Sequence, residues 1–199
     1  MTDVVAVRRP LPLAIVLIVT GILGWYASFA LTLDKLAVLE NPQADLDCNL
    51  SVIVQCGVNL GSWQGAVFGF PNPIIGLGGF VAPIAVGVAL LAGAQFARWF
   101  WIAFNLGVLG AFLFTLWLPY QSIFNLGTLC PWCLLVWSIM IPMFWTLTLH
   151  NARVGLFGSR LQPLGERLYS WVPAITVAGY IIIAVVAQLR LDVLSTLVV

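Results

Sequence analysis

Five stretches of the chain are apolar and free of charge over a bilayer's length: Leu11 to Leu33, Ile74 to Ala94, Trp99 to Leu118, Ile123 to Leu149 and Trp171 to Leu189. At about 1.5 Å per helical residue each can cross the roughly 30 Å of hydrocarbon in a membrane. The pattern therefore predicts five transmembrane helices and an all-α integral membrane protein. Polar and turn-forming residues collect between them, with Asp34 to Phe70 as a long loop and Pro119 to Ser122 as a short one. Arg8 and Arg9 precede the first stretch as they would a secretory signal. That stretch is longer than a signal core and lacks a small-x-small cleavage site, so it reads as retained. No repeat or low-complexity tract interrupts the chain, and no soluble segment is long enough to fold apart. Residues 1–199 read as one transmembrane domain, a bundle of four helices with the fifth at its side or closing the chain.

Within the long loop, Cys48 to Leu60 carries no charge and includes Leu50, Val52, Ile53, Val54 and Val58. Such a run is unusual in a solvated loop and suggests a cap lying on the membrane surface. Gly65, Gly69, Phe70, Pro71, Asn72 and Pro73 then form a turn-rich re-entry, with Pro73 suited to a helix's first turn.

Composition agrees with a bilayer as solvent: 62% of residues are hydrophobic, 8% are charged and the mean hydropathy is +1.06. A net charge of +1 gives no field that would attract nucleic acid. The distribution of charge is more telling than its sum. With five alternating crossings, Arg8, Arg9, Arg98, Arg153, Arg160 and Arg167 share one side, against Lys35 and Arg190 on the other. The positive-inside rule makes the first side cytoplasmic. The N-terminus is then inside, while the long loop and the C-terminus are extracytoplasmic, where disulfides persist.

Cysteine carries the candidate chemistry. Cys48 and Cys56 lie in the long loop, and Cys130 and Cys133 lie two crossings later, so parity alone puts all four on one face. Asn125 and Gly127 are poor helix formers and Thr128 is a plausible N-cap, which sets Cys130-Pro131-Trp132-Cys133 at the mouth of the fourth helix. Free N–H groups and the helix dipole favour a thiolate there, and Pro131 is tolerated in a first turn. Residues i and i+3 share a face, so this pair can close a small, readily exchanged disulfide. Two pairs on one face can relay two electrons by dithiol and disulfide exchange. Other readings stay open from the residues alone: an inert or structural helix pair, a loop clip from Cys48 and Cys56, or a zinc site. The C-x7-C spacing and the oxidising side weigh against zinc, so no metal is expected. Four cysteines allow three connectivities.

In order, these features are Cys48-x7-Cys56, Ser62 six residues beyond, the re-entry Phe68-Gly69-Phe70-Pro71-Asn72-Pro73, and the C-x-x-C that opens a helix. The combination resembles the vitamin K epoxide reductase family, in particular bacterial members that support disulfide formation, over roughly Leu11 to Leu149. The resemblance implies a four-helix bundle around a quinone, menaquinone or ubiquinone, as electron acceptor. It implies Cys133 beside the quinone, Cys130 exchanging with the loop pair through a transient disulfide to Cys56, and Cys48 contacting the partner's dithiol. Asn72 matches a position that hydrogen-bonds a quinone carbonyl, and Ser62 a hydroxyl near the centre. Read locally, they are a turn residue between prolines and a helix cap. Phe68 and Trp132 are further candidates for pocket lining, being near Asn72 and Cys130 in sequence.

Trp137 stands four residues past Cys133, where the animal epoxide-reducing members carry tyrosine. An indole donates through its N–H but has no hydroxyl, which turns the expectation from epoxide reduction toward disulfide formation. Bacterial relatives often append a thioredoxin-like domain. This chain ends at Val199, so a DsbA-like thioredoxin-fold partner is expected to act in trans. The expected activity is thus a quinone-dependent thiol oxidoreductase. A quinone or vitamin K epoxide reductase using a thiol partner as reductant is the alternative, and a non-catalytic scaffold with structural disulfides a distant one. Trp63, Trp99, Trp101, Trp117, Trp145 and Trp171 read mostly as interface belts. His150 lies about a membrane thickness from the cysteines and cannot be their base. Asn49-Leu50-Ser51 is a glycosylation sequon, relevant only in a eukaryotic secretory pathway.

Overall fold

A computed structural model describes residues 10–197; Arg8 and Arg9, used above for orientation, lie outside them. Five helical spans are long and apolar enough to cross a membrane. The first is α1 (Leu11–Glu40). A short helix α2 (Gly57–Gly61) and a 3-10 turn (Trp63–Ala66) follow in the loop. The second span is broken into α3 (Asn72–Gly79) and α4 (Val81–Leu91). The third, α5 (Arg98–Gln121), ends in a π-turn (Ser122–Leu126), and the fourth is α6 (Pro131–Arg153). After α7 (Gln162–Tyr169) come the fifth span, α8 (Val172–Leu191), and a final turn, α9 (Val193–Leu197).

The first four spans form the bundle. α1 packs against both halves of the second span and against α6, and α5 packs on the other side of α6. α8 leans on the outside of α6, anchored by the Tyr180 hydroxyl, which donates to the carbonyl of Ser138 at 2.6 Å. α4 and α5 do not pack along each other, and the bundle is open on that side. Glycines allow α1 and the second span to approach closely. A Cβ on Gly87 would lie 2.8 Å from the carbonyl oxygen of Ala14, and one on Gly24 would strike the ring of Phe80. Small residues of this kind let membrane helices touch backbone to backbone. Leu13, Leu17, Phe112, Met143, Phe144 and Leu147 fill the centre, with the Phe112 and Phe144 rings stacked at 4.3 Å. Ile22, Val88, Leu106 and Ile181 are exposed, as befits surfaces that face lipid.

Span ends differ from the sequence reading. α1 continues past Asp34 to Glu40: the Lys35 ammonium donates to the carbonyl of Leu60 at 2.6 Å, so its charge is held inside the fold. Pro119 to Ser122 is helical, and the chain turns instead at Gly127, whose φ of 68° lies in the left-handed region. Gly127 therefore ends the third span, and α6 starts only at Pro131. The second span breaks because Pro83 has no N–H for the carbonyl four residues back at Gly79. Trp101 is buried in the core and is not a belt residue. His150 closes the end of the bundle opposite the cysteines, in ring contact with Trp101 and Tyr169.

Candidate functional site

The loop is fastened over the mouth of α6 from several directions. The side-chain oxygen of Asn49 accepts from the backbone N–H of Cys56 at 3.0 Å and of Gly57 at 3.2 Å. An isolated parallel bridge joins Val54 to Leu129: Leu129 N–H donates to the Ile53 carbonyl at 2.7 Å, and Gln55 N–H to the Leu129 carbonyl at 2.9 Å. The amide of Asn59 donates to the Thr128 hydroxyl at 2.9 Å. Leu129 immediately precedes Cys130, so these bonds register the loop directly against the C-x-x-C pair.

All four cysteines meet as a result. Cys48 and Cys56 form a disulfide, and Cys130 and Cys133 are free. Cys56 Sγ lies 3.4 Å from Cys130 Sγ, and both residues are 0% exposed. Cys130 is the N-cap of α6 and its sulfur accepts from the backbone N–H of Cys133 at 3.4 Å. Hydrogen bonding from the Cys133 side chain first, then from the Cys133 and Trp132 backbones, holds the Cys130 thiol below the ordinary range although burial opposes it. A sulfur so stabilised as thiolate, in contact with a disulfide, is arranged for exchange. A carboxylate oxygen of Asp34 sits 3.4 Å from Cys48 Sγ. The potential ligand atoms of Asp34, Cys48 and Cys56 cluster within 4.8 Å, but both sulfurs are spent in the disulfide, leaving a cation only the carboxylate in this state.

Two clefts flank the cysteines. A cavity of about 470 Å³ is walled by Cys133, Trp137 and Met140 of α6, by Gly107 and Ala111 of α5, and by Gly76, Gly79 and Ala82 of the second span. It lies along the side where α4 and α5 do not pack. A cleft of about 370 Å³ lies beside Cys48, between Asp34, Asp47, Leu50, Pro131 and Trp132.

Asn72, Ser62 and Trp137 line the larger cavity. Asn72 has both ends of its amide engaged, donating to the Gln64 carbonyl at 2.7 Å and accepting from the Val67 N–H at 3.1 Å, so it braces the re-entry. Ser62 caps the 3-10 turn, accepting from Gly65 N–H at 3.2 Å and donating to the Asn59 carbonyl at 2.8 Å. The indole N–H of Trp137 is buried without a partner among the described residues. Trp132 lines the smaller cleft, edge-on to Tyr26. One residue short of Cys133 on the helix, it is turned about 100° from it. Phe68 borders neither cleft; it is 60% exposed, against Phe70 and Phe114.

Sequence reasoning missed Asn49, Asn59, Asp34 and Gln64. Asp34 had a usable signal, an acidic residue directly after an apolar stretch and on the same face as the cysteines. Gln64, whose side-chain oxygen is buried and unpaired on the cavity wall, had none.

The family profile described as Vitamin K epoxide reductase family matches residues 15–148, about two-thirds of the chain, including all four cysteines. No curated protein and no solved structure matches the chain.

Proposed function

The chain belongs to the vitamin K epoxide reductase family of membrane oxidoreductases, and on that premise we propose that it oxidises an extracytoplasmic thioredoxin-fold dithiol and delivers the electrons to a membrane quinone. The observation that carries the reading is the 3.4 Å contact between Cys56 and Cys130, which joins an oxidised pair to a reduced one. Arg98, Arg153, Arg160 and Arg167, toward the end remote from the cysteines, support the extracytoplasmic placement.

The chain's part runs in three exchanges. A partner thiolate attacks Cys48, which borders the open cleft while Cys56 is sealed. The Cys48–Cys56 bond breaks and Cys56 departs as thiolate; the partner's second thiol then displaces Cys48, leaving the partner as disulfide and the loop pair as dithiol. Cys56 next attacks Cys130 of a Cys130–Cys133 disulfide, Cys133 departs, and Cys48 displaces Cys130 from Cys56. The loop disulfide is restored and the helix pair holds two electrons, which is the arrangement seen here. A quinone in the larger cavity supplies a two-electron, two-proton acceptor. On re-forming their disulfide, Cys130 and Cys133 give up two electrons and two protons to it.

The residues fit such a group. The cavity falls within the roughly 300–1,000 Å³ of small-molecule sites. Its wall carries Cys133, and buried polar atoms of Trp137 and Gln64 have hydrogen-bonding capacity that the protein leaves unused. Those features suit a flat apolar ring that bears oxygens. The test is to mix purified protein with a reduced thioredoxin-fold protein and a soluble menaquinone or ubiquinone analogue. One partner disulfide should form per quinone consumed, and Cys133→Ala should abolish quinone consumption. No quinone-dependent thiol oxidation by the wild type would overturn the proposal.

A further inference from the structure

We propose that Gln64 recognises a ring hydroxyl that exists only after the acceptor has been reduced, so that the cavity holds quinol more tightly than quinone. The inference deepens the proposed function and rests on it. Gln64 is 7% exposed and lies in the 3-10 turn Trp63–Ala66, on the cavity wall. Its side-chain oxygen has no partner among the described residues.

The amide lies in a row with those of Gln121 and Asn125. The side-chain oxygen of Gln121 accepts from the amide of Asn125 at 2.6 Å and from that of Gln64 at 3.5 Å. The Gln64 NH2 is turned toward the Gln121 oxygen, which takes it as a second, longer hydrogen bond. The Gln64 oxygen is left unpaired. The backbone is pinned as well, since Asn72 donates to the Gln64 carbonyl.

A buried acceptor on an apolar wall is costly to leave unsatisfied, and the two redox forms differ in what they offer it. A quinone presents oxygens that only accept; a quinol presents two hydroxyls that donate. The Gln64 oxygen can pair with the second form alone. Trp137, whose buried N–H is likewise unpaired, can donate to a ring oxygen in either form and so does not discriminate. Preference for the reduced form pulls the two-electron transfer from the cysteines forward while the ring remains bound.

Quinone and, under anaerobic conditions, quinol would be titrated separately onto the purified full chain, with tryptophan fluorescence as the binding readout. The wild type is expected to bind quinol the more tightly. Gln64→Met keeps the volume and removes the acceptor; it should weaken quinol binding by about fivefold to tenfold and change quinone binding by less than about twofold. Thermal unfolding reports whether the variant is folded, and should it not be, Gln64→Asn, which draws the oxygen back by one carbon, is expected to give the same selective loss. Unchanged affinities, or equal losses for both forms, overturn the role of Gln64. A wild-type protein that binds neither form overturns the quinone reading itself, and this inference with it.

Discussion

Cys130 caps α6 and, in the proposed relay, is half of the inner pair and the nucleophile when exchange runs back onto Cys56. Because hydrogen bonds, led by that from the Cys133 side chain, hold its thiol below the usual value of 9.0, its attack on Cys56 should rise with pH and level off below that value. Cys133→Ala removes the leading contribution and is expected to move the levelling-off upward; the yield of Cys56–Cys130 disulfide against pH, read by mass spectrometry, checks this. An unshifted profile would assign the thiolate to the helix N-terminus alone. Asp34 acts on the outer pair. Its carboxylate lies 3.4 Å from Cys48 Sγ, the sulfur of the residue that borders the smaller cleft, and a negative charge there repels anionic attackers. Asp34→Asn should speed reduction of the loop disulfide by glutathione several-fold while barely changing that by cationic cysteamine, a contrast measurable by stopped-flow mixing.

At the scale of elements, the loop is a tertiary structure in its own right. Asn49→Ala strips the acceptor from two N–H groups at the start of α2 and should cost about 1 kcal/mol of stability. It should also lower the yield of trapped Cys56–Cys130 disulfide while Cys48–Cys56 still forms, as non-reducing mass spectrometry would reveal. Gly87→Val tests the helix seam. Side-chain carbons 2.8 Å from the Ala14 carbonyl must push α1 from α4, costing about 1–3 kcal/mol. That loss would appear as a lower Tm in detergent. The spans themselves were legible because charge is absent from each; their ends were not, since a charge usually marks the interface. Asp34 and Lys35 lie inside α1 because Cys48 and the Leu60 carbonyl await them, partners that sequence does not announce. Gly127 was legible as a break, but its side of the loop was decided by the π-turn before it. Co-location of the cysteines followed from parity, whereas the bridge at Leu129 is backbone pairing, which no side chain encodes.

Across the whole molecule, the bundle is closed on three sides and open between α4 and α5. The larger cavity lies along that opening, which is the side from which the apolar acceptor of the proposed reaction would arrive. Gly107 lines this wall, and a Cβ there meets nothing within 4 Å. Gly107→Phe should therefore fold normally, raise KM for quinone several-fold and leave exchange between the two cysteine pairs unchanged; steady-state kinetics against a pair-exchange assay separates the effects. The burial of Cys130 acts at this same scale. It is 0% exposed, with Cys56 in contact on one side and Cys133 on the other, so dissolved thiols and oxidants reach it only by way of those neighbours. Cys130 is thus shielded like a wire in its sheath, while Cys133 keeps its face on the larger cavity. In the proposed relay, a stray thiol would then find no direct way to Cys130, and an electron pair taken in at Cys48 would leave only through Cys133.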